Sequence, residues 1–177
     1  MPIPKRGETG LVIIPPKRIV ARINKWRKIY DDQPVNILAH ITVIYPFISL
    51  IQWSTASSQV IDCLSEFHMF HISFQEPSFF VGHPFVLWLK PDHNPELRRI
   101  HNTLYRRFSK YLRHSNHTYR PHMAIGFYDS RKELSAALQS TKIVISKLDF
   151  DVRNMWFGVY DDKTASWREL EKLPIGK

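Results

Sequence analysis

The sequence predicts an α+β fold with two similar halves, because strand-like and helix-like segments alternate and then repeat in the same order. The first half consists of a strand over 10–14, a helix over 16–30, a strand over 37–47 and a helix over 54–68. After strand-like residues at 70–81, the second half consists of a strand over 84–91, a helix over 94–113, a strand over 122–128 and a helix over 130–139. Residues 143–173 then predict two or three further strands. No linker divides the halves, so we expect one bilobal domain over residues 1–177.

Local signals mark where these elements begin and end. The first helix is predicted from apolar residues at helical spacing, namely Ile19, Ile23, Trp26 and Tyr30. Pro46 ends the β-branched run at 37–47. Asn94 followed by Pro95 is a typical helix start, and Ser130 with Glu133 forms a capping-box pattern. These signals predict the order of the elements more reliably than the exact residues at which each element begins and ends.

Composition restricts the class of protein. Among 177 residues, 44% are hydrophobic and five are Trp, which is enough for a packed core and too apolar for a disordered chain. The net charge of +9 favours polyanionic partners, nucleic acid first. The single cysteine, Cys63, excludes an internal disulfide, and no apolar run reaches the ~20 residues of a membrane span. No secretory signal is visible, so we expect a cytoplasmic protein.

Two histidines in matching positions of the two halves are the strongest chemical signal. His40 lies in the first half's second strand, and His122 begins the equivalent strand of the second half. Because side chains alternate across a strand, His40 shares a face with Thr42, and His122 shares a face with Ala124. The opposite face of each strand is apolar, formed by Ile41, Val43, Met123 and Ile125. Each strand therefore buries one side and presents a histidine on the other.

These segments resemble the 2H phosphoesterase superfamily, and within it the 2′-5′ RNA ligase-like branch that includes RNA 2′,3′-cyclic phosphodiesterases. HITVIYPF at 40–47 and PHMAIGF at 121–127 are similar to the paired H-x-T/S motifs. Further likenesses are Ile29-Tyr30-Asp31, the LWLKP strand at 87–91 and Trp167 in the closing strand. The resemblance covers most of the chain. It implies two pseudo-symmetric lobes of antiparallel sheet, with outer helices around a central cleft.

The resemblance also implies how the site works. His40 and His122 would act as general base and general acid on a phosphodiester, without a metal or other cofactor. Thr42 would donate a hydrogen bond to a phosphoryl oxygen. The substrate would be an RNA end or nucleotide with a 2′,3′-cyclic phosphate or a 2′-5′ linkage. The protein is expected to be a monomer.

Residue 124 departs from the family pattern. The family usually has Thr or Ser there, and Ala124 has no hydroxyl to donate. Arg120 or Tyr119 could supply the missing contact, or the site could be inactive. Beyond the first motif, Tyr45 and Phe47 could stack on a base, although core packing is the ordinary role of such residues.

Other functions remain open on the sequence alone. The chain could be a non-catalytic RNA- or nucleotide-binding module, or a hydrolase of small cyclic nucleotides or 2′-5′ oligoadenylates. The helices at 16–30 and 94–113 are rich in Lys and Arg, which fits either contact with an RNA backbone or a solvated surface. His68 and His71 form an H-x-x-H pattern but lack a visible third metal ligand.

Overall fold

A computed structural model describes residues 6–30, 38–112, 118–144, 148–161, 163 and 166–176. The strands in this range are β1 (Thr9–Ile13), β2 (Ile41–Ile44), β3 (Phe70–Phe80), β4 (Phe85–Pro91), β5 (Met123–Tyr128), β6 (Asp149–Val152), β7 (Asn154–Asp161) and β8 (Ser166–Pro174). The helices are α1 (Lys17–Tyr30), α2 (Leu50–Ser65), α3 (Pro95–Arg107) and α4 (Arg131–Val144). A 3₁₀ turn, Ser109–Tyr111, follows α3.

The predicted α+β class and the order of elements are confirmed, and the differences concern boundaries. The prediction of a strand from residue 143 was wrong, because α4 continues to Val144 and β6 begins at Asp149. The helix continues because Leu134, Ala137 and Thr141 keep its buried face at helical spacing. The second helix begins at Leu50 rather than residue 54, since Ser49 caps it. Residues 31–37, which include the first residue of the strand predicted over 37–47, lie outside the described residues.

The strands form one antiparallel sheet in the order β6-β3-β4-β5-β2-β1-β7-β8. Its halves are β2-β1-β7-β8 and β5-β4-β3-β6, and they meet at β2 and β5. The two predicted lobes are therefore the two halves of this sheet. In sequence, β1-α1-β2 corresponds to β4-α3-β5. Helices α1 and α4 pack against the β5 half, whereas α2 and α3 pack against the β2 half.

The two faces of the central strands differ as the alternating pattern predicts. Ile41, Val43, Met123 and Ile125 are each fully buried in the hydrophobic core beneath the helices. Thr42 and Ala124, which alternate with them, are only partly buried, as are His40 and His122. We call the side that carries these four residues the open face. The open face is therefore the side available to a ligand.

The two halves of the sheet are joined at their centre by one register pair, Ile41 with Met123. Beyond this pair, the carbonyls of β5 are hydrogen-bonded by a side chain. The Arg27 guanidinium donates to the carbonyl oxygens of Ala124 (Nη2, 2.8 Å) and Ile125 (Nε, 3.0 Å). Arg27 is 1% exposed. A buried cation from α1 thus replaces part of the missing strand–strand ladder.

The β2 side of the centre is held in the same way by two stacked rings. The Tyr119 hydroxyl donates to the Thr42 carbonyl at 3.1 Å, and His101 Nδ1 lies 2.7 Å from the Val43 carbonyl. The two rings stack with centroids 3.8 Å apart and an interplanar angle of 5°. Because a carbonyl only accepts, His101 Nδ1 carries the proton. The His101–Tyr119 stack therefore fixes the backbone at Thr42.

Arg27 should be a strong determinant of stability. Arg27→Met keeps much of the buried stem but removes both donors to β5, so we expect a loss of roughly 2–4 kcal/mol in the free energy of unfolding. Urea denaturation followed by tryptophan fluorescence measures this change. Lys25→Ala, at an exposed position of the same helix, is the control and should stay within about 0.5 kcal/mol of the parent. Equal effects of the two substitutions would show that the Arg27 bonds contribute nothing specific.

Candidate active site

Both histidines lie one residue before a central strand. The sequence places His40 within a strand and His122 at the start of one, but β2 begins at Ile41 and β5 at Met123. The residues that directly follow the two histidines, Ile41 and Met123, are paired with each other across β2 and β5. The two motifs therefore lie side by side. Extending that antiparallel register by one residue places His40 across from Ala124 and Thr42 across from His122. The four open-face residues therefore surround the central pair.

The two imidazoles are oriented by equivalent hydrogen bonds. His40 Nδ1 lies 2.7 Å from the Leu38 carbonyl, and His122 Nδ1 lies 2.8 Å from the Arg120 carbonyl. In each case the acceptor belongs to the residue two positions earlier. A carbonyl can only accept, so each Nδ1 carries a proton and each Nε2 is the lone-pair nitrogen of the neutral ring. A proton gained or lost by either ring is thus exchanged at Nε2.

Burial keeps both imidazoles neutral in the unliganded protein. Desolvation is the main cause that lowers the pKa of His40 from 6.5 to about 4; the charges of His122 and Arg27 act in the same direction, and the hydrogen bond to Leu38 opposes them. Desolvation also lowers the pKa of His122, again opposed by its backbone hydrogen bond. The charge of His122 is one of the causes that lower the pKa of His40, so the two rings interact electrostatically.

Aromatic side chains from the outer strands pack against each histidine. On one side, Trp167 meets His40 edge-on with centroids 6.2 Å apart, and it contacts Tyr45 at 5.7 Å. The Tyr45 hydroxyl donates to the Glu8 carboxylate. These contacts limit the ring orientations open to His40.

The second histidine has its own aromatic pair. Trp88 meets His122 edge-on at 5.9 Å, and Phe80 does so at 5.1 Å with perpendicular planes. Phe80 and Trp88 also stack on each other, with centroids 4.9 Å apart and 24° between planes. Each catalytic candidate is therefore held by aromatic contacts from its own half of the sheet.

The remaining predicted site residues lie in different surroundings. Thr42 and Ala124 lie on the open face beside the histidines. Tyr119 has its hydroxyl proton bonded to the Thr42 carbonyl, and burial raises the pKa of that hydroxyl. Arg120 is exposed, and its carbonyl orients His122. Phe47 is 5% exposed and packs against Trp53 and Phe108 in the core, so we do not include it among the proposed ligand contacts.

Sequence reasoning missed three residues that build the site. Arg27 was counted among the basic residues of α1, although it lies four residues after Ile23 and one turn of helix therefore places it on the buried face. His101 and Phe80 carry no comparable signal, because their roles depend on which strands and helices become neighbours. The sequence indicated Trp88 and Trp167 only as likenesses to the family, without a role at the site.

The described residues contain neither a metal-ligand cluster nor a membrane-spanning helix. Among them, no three side chains of His, Cys, Asp or Glu cluster as a metal site. His71 instead lies 3.0 Å from Asp151 and 3.6 Å from Asp149. None of the described helices has the length and apolar character needed to span a bilayer.

One family model matches most of the chain. Residues 15–164 match the model of the 2′-5′ RNA ligase superfamily, a range that includes both histidines. The chain belongs to the 2′-5′ RNA ligase superfamily. It is therefore a 2H phosphoesterase, an enzyme of the 2′-5′ RNA ligase-like type.

Relatives of this superfamily cover nearly the full chain. A protein of Geobacillus kaustophilus (strain HTA426) that is assigned as a phosphoesterase is 30% identical over 168 residues, which is 94% of this chain and 95% of the relative. Unliganded Escherichia coli LigT has a TM-score of 0.66 at 14% identity and covers 98% of this chain and 99% of its own. Usb1 of Kluyveromyces marxianus has a TM-score of 0.55 at 9% identity, covering 96% and 99%. The two structural likenesses support the fold.

The histidine tautomers and pKa values can be tested directly by NMR. Long-range ¹H–¹⁵N correlation spectra should show the neutral rings of His40 and His122 protonated at Nδ1. On acidification His122 should titrate below pH 6.5 and His40 near pH 4. His40→Asn and His122→Asn provide the assignments. Nε2-protonated neutral rings, or titration above pH 6.5, would contradict the geometry.

Proposed function

We propose that this enzyme hydrolyses an RNA 2′,3′-cyclic phosphate or a 2′-5′ phosphodiester linkage, with His40 and His122 as general base and general acid. The observation that carries this proposal is the matched pair of imidazoles around the central strand pair, each with Nδ1 bonded to a backbone carbonyl. That arrangement leaves two Nε2 atoms for proton exchange. Histidine suits both roles, because one ring can be neutral while the other is charged.

The proposed hydrolysis balances with one water molecule. A neutral Nε2 takes a proton from water as its oxygen forms a bond to phosphorus. The bond between phosphorus and a ribose oxygen breaks, and the second, protonated Nε2 donates its proton to that oxygen. The Thr42 hydroxyl donates a hydrogen bond to a phosphoryl oxygen, which gains charge in the transition state. The product is a phosphomonoester from a cyclic substrate, or two separated nucleosides, one of them phosphorylated, from a 2′-5′ linkage.

Nucleotide chemistry is supported by charge and by structural relatives. LigT structures are described in complex with 3′-AMP and with ATP. In this chain Arg98 is exposed on α3, and its charge acts on both His101 and Tyr119 beside the central strands. We propose that Arg98 and Arg120 attract the phosphates of a nucleotide or RNA end. Tyr45 provides an aromatic surface on the His40 side.

A second candidate function is a nucleotide-binding module without turnover. Ala124 favours this alternative, because the second motif lacks the hydroxyl that the first one has in Thr42. Turnover of a cyclic nucleotide by the purified chain separates the two functions. Under either function we propose that residues 1–177 act as one bilobal domain, since the site takes a histidine from each half.

Loss of either histidine should abolish hydrolysis. We expect His40→Ala and His122→Ala each to lower kcat on a 2′,3′-cyclic nucleotide by at least about 10²-fold, the usual contribution of one proton transfer. His93→Ala, at an exposed histidine, is the matched control and should keep parental activity. Excess EDTA should change neither kcat nor KM. Inhibition by EDTA that a divalent cation reverses would overturn the metal-independent mechanism.

The pH dependence of kcat/KM follows from the two lowered pKa values. Catalysis needs one protonated and one neutral imidazole, and kcat/KM reports the groups of the free enzyme. Below about pH 4 both rings gain protons, and above the lowered pKa of His122 both are neutral. The profile should therefore be bell-shaped with its maximum below pH 6.5. A maximum above pH 7.5, or a flat profile from pH 4 to 8, would contradict the assignment.

A further inference from the structure

One polar group at the site has no role in the proposed mechanism, namely the indole N–H of Trp88. Trp88 is 8% exposed, and its Nε1 is buried without a hydrogen-bond partner among the described residues. Two other indoles form hydrogen bonds within the protein. Trp26 Nε1 donates to Ser140 Oγ at 3.2 Å, and Trp53 Nε1 donates to Glu171 Oε2 at 2.7 Å. Since buried polar groups are normally paired, the Trp88 donor needs an explanation.

The position of Trp88 in the sheet connects it with the departure from the family motif. Trp88 is the register partner of Ala124 across β4 and β5. Its neighbours Leu87 and Leu89 are fully buried in the core, so alternation along β4 places the indole on the open face. The ring meets His122 edge-on at 5.9 Å. The unpaired donor thus belongs to the half of the site that lacks a hydroxyl.

From this placement, we infer that the Trp88 indole N–H is a phosphoryl-oxygen donor that replaces the hydroxyl absent at Ala124. This inference rests on the proposed function, whose substrate is a phosphate ester. An indole N–H can only donate, so its partner must be an acceptor. A phosphoryl oxygen between the two histidines is such an acceptor. Thr42 then donates a hydrogen bond to the phosphoryl group from the His40 half of the site, and Trp88 donates one from the His122 half.

Neighbouring residues keep this donor in place. Phe80 stacks on the Trp88 ring at 4.9 Å and itself contacts His122. Phe80 is partly exposed and is the last residue of β3. Ala124 is the register partner of Trp88, is only partly buried, and carries no polar group of its own. A hydroxyl at position 124 and the N–H at position 88 are therefore alternative donors to the same oxygen.

A double-mutant cycle measures this relation. Trp88→Phe keeps an aromatic ring but removes the donor, and should lower kcat/KM on a 2′,3′-cyclic nucleotide about ten- to a hundredfold, as loss of a hydrogen bond to a charged group does. Ala124→Ser should restore most of the activity in the Trp88→Phe background, so the effects of the two substitutions should not be additive. Trp26→Phe, which removes an indole N–H that donates to Ser140 on the helix side of the sheet, is the matched control and should keep parental activity. Activity of Trp88→Phe within twofold of the parent would overturn the inference.

A spectroscopic measurement on the unmodified chain separates this inference from the proposed function. In ¹H–¹⁵N spectra, saturation with adenosine 2′-monophosphate should shift the Trp88 indole signal downfield, whereas those of Trp26 and Trp53 should stay in place. Trp88→Phe identifies the signal. If the His40 and His122 signals move and the Trp88 signal does not, the inference is wrong while the site assignment stands. If the Trp88 signal shifts but the chain has no turnover, the donor is confirmed and the hydrolytic function fails. Absence of any shift at saturating ligand would overturn both.

Discussion

The site depends on the separation of β2 and β5 after a single register pair. In a continuous ladder, every second carbonyl of β2 and of β5 would accept from a backbone N–H group of the opposite strand. Here the carbonyls of Thr42, Val43, Ala124 and Ile125 accept from Arg27, His101 and Tyr119. Since an unpaired buried carbonyl is costly, the strands can diverge only where side chains replace the lost bonds. The divergence lies beside both histidines, so the bonds that compensate for it also position the two proposed catalytic groups.

The internal repeat explains why the two histidines share one local structure. In each half the histidine precedes a central strand and bonds the carbonyl two residues earlier, and an indole from an outer strand meets its ring edge-on. The halves differ at the second residue after the histidine, since Thr42 has a hydroxyl and Ala124 has none. They differ also in charge, because Arg27 lowers the pKa of His40 as a secondary cause after burial. A phosphate between the rings would therefore meet two similar nitrogens in unequal surroundings.

Much of the fold and part of the site could be predicted from sequence for a physical reason. Helical and strand periodicities are local, so the alternation that places His40 and Thr42 on one face is visible in a few residues. The pairing of Ile41 with Met123 joins residues 82 positions apart, and no local pattern specifies it. The stack of His101 on Tyr119 depends on that pairing, and the contact of Phe80 with His122 depends on the pairing of β3 with β4 and of β4 with β5. Sequence therefore indicated the two histidines that we propose as the reacting groups, whereas the structure reveals the side chains that orient them.

Arg27, the buried cation, also affects the pH at which His40 can be protonated. Arg27 stabilises the divergent strands at every pH, because a guanidinium stays charged. The loss of hydration is the main effect that disfavours a proton on His40 in the unliganded site, the charges of His122 and Arg27 add smaller effects, and burial also disfavours a proton on His122. A bound phosphate ester carries negative charge and raises the pKa of both imidazoles. Binding and protonation are then linked, since the charge of a phosphate ester stabilises the imidazolium that the proposed mechanism needs to protonate the leaving oxygen. Under the proposed mechanism, a site with two neutral imidazoles gains its general acid when the anion binds.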